Sequence, residues 1–147
     1  MLLHILIVVA SIVGQTPPPN PACALLTPAQ LTSLVGGARA IPVSTNAMGS
    51  TCMLQSGDKV ITVLIVNASS ADGATRQFDS KKRMVSGEPL AGWTVPAYLG
   101  TQKPAAVALG FLKGQTLTEV KVLDETQTID ALSAKLKTIM SEVAARK

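Results

Sequence analysis

Hydrophobic positions along this chain change period several times, and each change marks an element. The clearest is the last. Ile129, Leu132, Leu136, Ile139 and Val143 recur at helical spacing, with Asp130 at the positive end of the helix dipole and Arg146-Lys147 at the negative end, so a helix spans Ile129–Ala145. An earlier helix carries fuller start signals. Thr27 suits an N-cap, Pro28 the first helical position, and Gln30 closes a capping box. Leu26 and Leu31 can staple that end, and Gly36-Gly37 stops the helix. Between these helices the period shortens. Strands are expected near Arg39–Val43, Thr51–Gln55 and Lys59–Asn67, with Ser56-Gly57-Asp58 as a hairpin turn. Val60 to Val66 is apolar on both faces, which points to the central strand.

A poorer helix follows over about Ala71–Val85. Ala74, Phe78 and Val85 can face inward while Arg76, Lys82 and Arg83 meet water, and Glu88-Pro89 ends it. Strands are then expected near Thr94–Leu99, Ala105–Leu112 and Thr116–Leu123, with Lys113-Gly114-Gln115 as a tight turn. Hairpin-linked strands flanked by helices make an α+β domain in the order α-β-β-β-α-β-β-β-α, an antiparallel sheet of five to six strands with helices packed on it.

The first residues do not belong to that pattern. Met1–Gly14 is almost wholly apolar and gives way abruptly to the proline-rich Gln15–Ala22. A transmembrane helix needs about 20 apolar residues, whereas a run of this length suits the core of a signal peptide with cleavage after Gly14. No Lys or Arg precedes it; only the α-amine and His4 supply positive charge. The expected division is a signal peptide over 1–14, an extended solvated spacer over 15–22 and one domain over 23–147, with no transmembrane span in the mature chain.

Cysteine usage agrees with export. Cys23 and Cys52 are the only two cysteines, and in an oxidising compartment such a pair forms a disulfide. Neither lies in a C-x-x-C motif, and no mature histidine is available to activate a thiolate.

The opening Cys23-Ala24-Leu25-Leu26-Thr27-Pro28-Ala29-Gln30-Leu31, ending in Val35-Gly36, resembles that of small exported bacterial domains of unknown function, many of them actinobacterial lipoproteins and secreted proteins. Their pattern continues with a second cysteine before a hairpin, a position that Cys52 takes, and with a loop that Glu88–Gly92 and Ala97-Tyr98 partly match. The lipobox is absent here, and Trp93-Thr94-Val95-Pro96 replaces the Gly-Asp of that loop. The resemblance implies the fold and export; it brings no catalytic residues.

Composition narrows the chemistry. His4 is the only histidine and leaves with the leader, which removes histidine-based triads and histidine metal sites. Asp58 and Asp124-Glu125 sit in turns, Ser56-Gly57-Asp58-Lys59 matches S-x-x-K only as a hairpin tip, and no phosphate loop exists. Met48, Met53, Met84 and Met140 read as core filling rather than a soft-metal set. No metal or other cofactor is expected. The net charge of +4 is spread along the chain, and four aromatics (Phe78, Trp93, Tyr98 and Phe111) are too few to interleave with cations for nucleic acid.

Two candidate surfaces remain. Gly92, Trp93, Pro96 and Tyr98 form an aromatic and proline segment suited to recognition, its plainer role being packing over the sheet edge. Arg76, Lys82 and Arg83 form a basic face that could meet anionic envelope groups, its plainer role being a solvated helix face. The sequence therefore reads as an exported, non-catalytic binding or interaction module whose partner is a cell-envelope component or another protein. A structural envelope protein and a histidine-free hydrolase are the alternatives.

Overall fold

A computed structural model describes residues 19–146. The signal peptide expected over 1–14 lies outside the described residues. The chain runs α1 (Pro28–Val35), β1 (Arg39–Asn46), β2 (Gly49–Ser56), β3 (Lys59–Asn67), α2 (Ala71–Met84), β4 (Glu88–Pro89), β5 (Ala97–Gln102), β6 (Ala106–Lys113), β7 (Thr116–Leu123) and α3 (Ile129–Ala145). The strands make one antiparallel sheet in the order β1-β2-β3-β7-β6-β5-β4. The α+β class and element order are those expected, with seven strands rather than five or six. Glu88-Pro89, expected only to end a helix, also supplies the short edge strand β4. The middle of the sheet is β7, not β3. β3 lies inside the sheet, with β2 and β7 on either side; Ile61 and Val63 are buried in the main core, and Val66 on the other face packs beside α2.

The helices begin and end where their caps dictate. Thr27 accepts from the Gln30 amide while the Gln30 side chain accepts from the Thr27 amide, so the expected capping box is complete. Gly36 then takes a left-handed φ of 79° and ends α1. Ser70 caps α2, and Gly87 and Ser86 return their amides to the Lys82 and Arg83 carbonyls, closing its last turn with Ser86 left-handed. Thr128 caps α3.

Alternation along the strands builds two unequal layers. On the first face, Cys52, Leu54, Ile61, Val63, Val107, Leu109, Phe111, Val120 and Val122 meet α1 and α3. Leu34 of α1 and Leu132, Leu136, Ile139, Met140 and Val143 of α3 complete this main core. The chain before α1 belongs to the same layer. Asn20 donates to the Ser44 and Thr51 carbonyls, the Ala22 amide donates to the Ser50 hydroxyl, and Ala22 is fully buried. Residues 20–22, expected in a solvated spacer, are thus a docked turn. Their position is fixed by the Cys23–Cys52 disulfide, whose Cα atoms are 5.0 Å apart. That bond joins the strap to β2 as expected from the isolated cysteine pair.

The second face is covered only in part. There α2 packs on β5, β6 and β7, burying Phe78 against Tyr98 and Leu117, with Val66, Val85 and Leu112 around them. Among the described residues, no helix covers the rest of that face.

Candidate functional site

Each of the two surfaces singled out in the sequence has to be placed on this frame. Along β5, Ala97 and Leu99 point to the main core, so Tyr98 points to the other face. It is 0% exposed, with its ring edge-on to Phe78 at 5.1 Å between centroids. Trp93 goes the opposite way. It is half-buried against the main core, its ring 6.4 Å from that of Phe111. Gly92 and Pro96 remain exposed, yet the four residues do not form one aromatic surface. This corrects the expectation: alternation along β5 sends Tyr98 to the α2 side, while the turn before β5 folds Trp93 back onto the main core.

The basic face also changes character. Arg76 and Arg83 lie on a stripe with Asp72 and Asp79 at helical spacing, so the sign of charge alternates along it. Lys82, beside Gly87, and Arg83 line one hollow together with Asp79 and Glu88, so acids interleave with the cations there too. Arg76, Lys82 and Arg83 are therefore not one cationic patch.

Both buried carboxylates are engaged. Glu119 lies on the α2 side of β7, where it accepts a short hydrogen bond from the Tyr98 hydroxyl. The two residues are not adjacent: register places Gly110 between them, paired with Tyr98 on one side and Glu119 on the other. A Cβ on Gly110 would stand 2.3 Å from the Tyr98 ring, so glycine is what lets the ring cross β6. Burial and then the Glu119 charge push the Tyr98 phenol far above its ordinary range. Nothing in the sequence pattern announced this pair.

Asp124 holds the opposite layer together. It accepts from the Thr126 amide (2.9 Å) and hydroxyl (2.6 Å) and from the Gln127 amide group (2.7 Å), and Lys59 is 3.8 Å away. Gln127 also donates to the Leu34 carbonyl at the end of α1. Burial pushes the Asp124 carboxyl up, but these bonds and the Lys59 charge outweigh it and hold the group below its usual value. The turn role expected for Asp124 is what the geometry gives, extended to a tie between β7, α1 and α3. The methionines are a further correction. Met140 fills the core, whereas Met48, Met53 and Met84 are exposed on separate elements.

That exposure leads to the feature the sequence reading missed. Cross-strand pairing sets two rows side by side on the open face: Ile41-Met53-Thr62-Lys121-Ala108-Gly100 and Arg39-Gln55-Val60-Leu123-Ala106-Gln102. Among the described residues, six large hydrophobics are exposed, and Ile41, Met53 and Leu123 of these stand in the two rows. A fourth, Met84, overhangs from the end of α2, where it lines a cleft of about 240 Å³ with Val85, Ser86, Gly100, Ala106, Ala108 and Lys121. A second cleft of about 230 Å³ adjoins it, lined by Gln102, Lys103, Pro104, Ala105, Ala106, Lys121 and Leu123. The floor is low because its residues are small. Gly100 also permits the close approach of α2, since a Cβ there would lie 2.3 Å from the Val85 carbonyl oxygen. The signal in the sequence was the alternation of β1, β2 and β7, which leaves apolar residues on a face that a single short helix cannot cover.

No protein-family model matches the chain, no curated protein is significantly similar to it in sequence, and no solved structure matches it significantly. The likeness of its opening to exported bacterial domains rests on capping and turn residues. Here those residues stop and start α1 and anchor the disulfide.

Proposed function

We propose that this chain is an exported, non-catalytic binding module that engages a cell-envelope component or a protein partner through the open half of its sheet. One observation carries the reading. Apolar residues of β1, β2 and β7 (Ile41, Met53 and Leu123) stand exposed on that half of the sheet, and exposed apolar patches mark interaction sites. The non-catalytic part is supported by the commitments of the buried carboxylates, Glu119 to Tyr98 and Asp124 to Thr126 and Gln127. Secretion or a periplasmic address is supported by the disulfide, which persists in oxidising compartments. Among the described residues no helix is long and apolar enough to cross a membrane.

The test is retention on isolated bacterial cell envelope. An Ile41→Asp/Leu123→Asp variant, altered only at exposed positions, is expected to lose retention. Trp93→Ala and a charge reversal at Arg76, Lys82 and Arg83 are expected to keep it. Equal retention of the Asp variant and the parent would refute the assignment to this face.

A further inference from the structure

We infer that the open half of the sheet receives one amphipathic helix of a partner protein, its apolar stripe on β1, β2 and β3 and its acidic flank beside α2. This rests on the reading of that face as the binding surface and adds the kind of partner it fits.

Three observations carry it. The first is width. On this face α2 packs on β5, β6 and β7, so β1, β2 and β3 are left without a helix among the described residues. Three strands about 4.8 Å apart span about 14 Å, and a helix with its side chains is about 10–12 Å across. The space takes one helix. The opposite face shows the same sheet covered by two helices, α1 and α3, in contact with each other. The second is the surface offered. Ile41 and Met53 are exposed on this strip, and Val60, Thr62, Leu64 and Val66 are only half-buried. Along its border α2 presents Gln77, Ser80 and Met84, all exposed and spaced by three and then four residues, as at a helix–helix seam. Gln77 and Ser80 line a hollow of about 280 Å³ with Leu64, Val66 and Leu117, and Met84 lines the cleft that reaches Lys121. None of the three is charged, so a second helix can lie against that flank without stranding an ion. A planar membrane would rest on α2 and miss the strip beside it.

The third is charge. Lys81 lines the same hollow as Gln77, Lys121 stands in the row of Met53, and Arg39 lies on the edge strand. The one ion pair among the described residues is Lys59–Asp124, so none of their carboxylates lies within 4.0 Å of these three cations. Glu119 is buried on the Tyr98 hydroxyl. The exposed acids Asp58 and Glu125 stand at one end of the strip, in a hollow that includes Leu123. Basic along its length and acidic at that end, the strip complements a helix with Glu or Asp on its flank and its positive N-terminus toward Asp58 and Glu125. Such a helix is antiparallel to α2, which starts just after Asn67 at the other end of β3 and finishes over Gly100. The two helix dipoles then oppose each other.

The probe is a labelled synthetic peptide of about 18 residues with Leu at the a and d positions of its heptads and Glu at e and g. Its comparators carry Lys at e and g, or a central Pro-Pro that breaks the helix. Binding to the disulfide-bonded protein is read by fluorescence anisotropy and helix formation by circular dichroism, beside binding to phosphatidylglycerol vesicles. The Glu peptide should bind and gain helicity. The Lys peptide should bind about 10-fold or more weakly, and the Pro-Pro peptide not at all. Ser80→Glu and Met53→Asp, both at exposed positions, should each weaken binding about 10-fold or more with an unchanged denaturation midpoint, while Arg83→Glu on the outer stripe of α2 should not weaken it. No binding of the Glu peptide by the parent, equal binding of either comparator, equal binding by Ser80→Glu and Met53→Asp, or binding to vesicles alone would each overturn the inference. Envelope retention separates the two levels. If the Glu peptide fails but Ile41→Asp/Leu123→Asp still abolishes retention, the helical partner falls and the binding face stands; if retention is also unchanged, both fall.

Discussion

Replacing Tyr98 with Phe removes one oxygen from the least predictable contact in the fold, and its cost can be worked from the neighbours. The ring stays seated between Phe78 and Gly110, so packing is conserved. What is lost is the hydrogen bond to Glu119, which is left buried without its donor. A hydrogen bond to a charged group contributes about 1.5–3 kcal/mol, and the same range covers the penalty of stranding the acceptor. Urea denaturation should therefore show Tyr98→Phe destabilised by about 1.5–3 kcal/mol. Adding Glu119→Leu should restore much of that loss, because removing both partners of a buried bond is nearly neutral. Gly110→Ala acts on the same group from below. Its new methyl would overlap the ring at 2.3 Å, so about 1–3 kcal/mol of overpacking is expected, with the displaced hydroxyl adding to it. Because Tyr98 is the only tyrosine, its ionisation can be followed directly by absorbance. Its folded pKa is raised, so the neutral phenol stabilises the fold below the ordinary value of 10.0, and this contribution is lost as pH rises above it. Tyrosinate should appear only together with unfolding. A Tyr98→Phe variant within about 0.5 kcal/mol of the parent, or free titration of the folded protein near its ordinary pH, would refute the reasoning.

Three further outcomes are expected. Asp124 has a lowered folded pKa, so its contribution is present above the unfolded value of 3.8 and lost as pH falls through the folded one; Asp124→Asn should flatten the acid limb of stability and cost about 1–3 kcal/mol at neutral pH, read from denaturant melts between pH 2 and pH 7. Opening the Cys23–Cys52 bridge, by reduction or by a double Ser variant, should cost about 3–4 kcal/mol for a separation of 29 residues, again by denaturation, and a change under about 1 kcal/mol would contradict the role given to the strap. Leu136→Ala, at a fully buried position of α3, should cost about 2–5 kcal/mol; a loss below about 0.5 kcal/mol would mean that α3 is peripheral.

Local rules carried most of the fold. β3, β7 and α3 have the bounds read from hydrophobic period, and Thr27, Gln30 and Gly36 act as the cap and stop their types imply. The strand starting at Ala97 rather than Thr94 shows where local reading ends. Thr94–Pro96 has strand-like composition, but the chain turns there: the Leu90 amide donates to the Ala97 carbonyl, and of the three only Pro96 reaches β6, its carbonyl accepting from the Leu112 amide. The candidate site was far less legible. Tyr98 and Trp93 are five residues apart and read as one surface, yet the pairing of β5 turns Tyr98 to the α2 side while the preceding turn folds Trp93 onto the main core. Glu119 finds Tyr98 only across β6, through a glycine whose role depends on register. The uncovered face is a tertiary property: Ile41, Met53 and Leu123 look like ordinary inward strand residues until the reach of α2 is known.

The central claim is that the open half of the sheet, around Lys121, is the working surface, and methionine methyl resonances report on it directly. Met53 lies in the row of Lys121 and Met84 lines the cleft beside it, whereas Met48 stands at the β1–β2 turn and Met140 on the buried side of α3. In methyl-labelled protein titrated with solubilised bacterial envelope, Met53 and Met84 should shift or broaden together while Met48 and Met140 stay in place. Unmoved Met53 and Met84 signals alongside bound protein would contradict the account, because the partner would then be held by another surface.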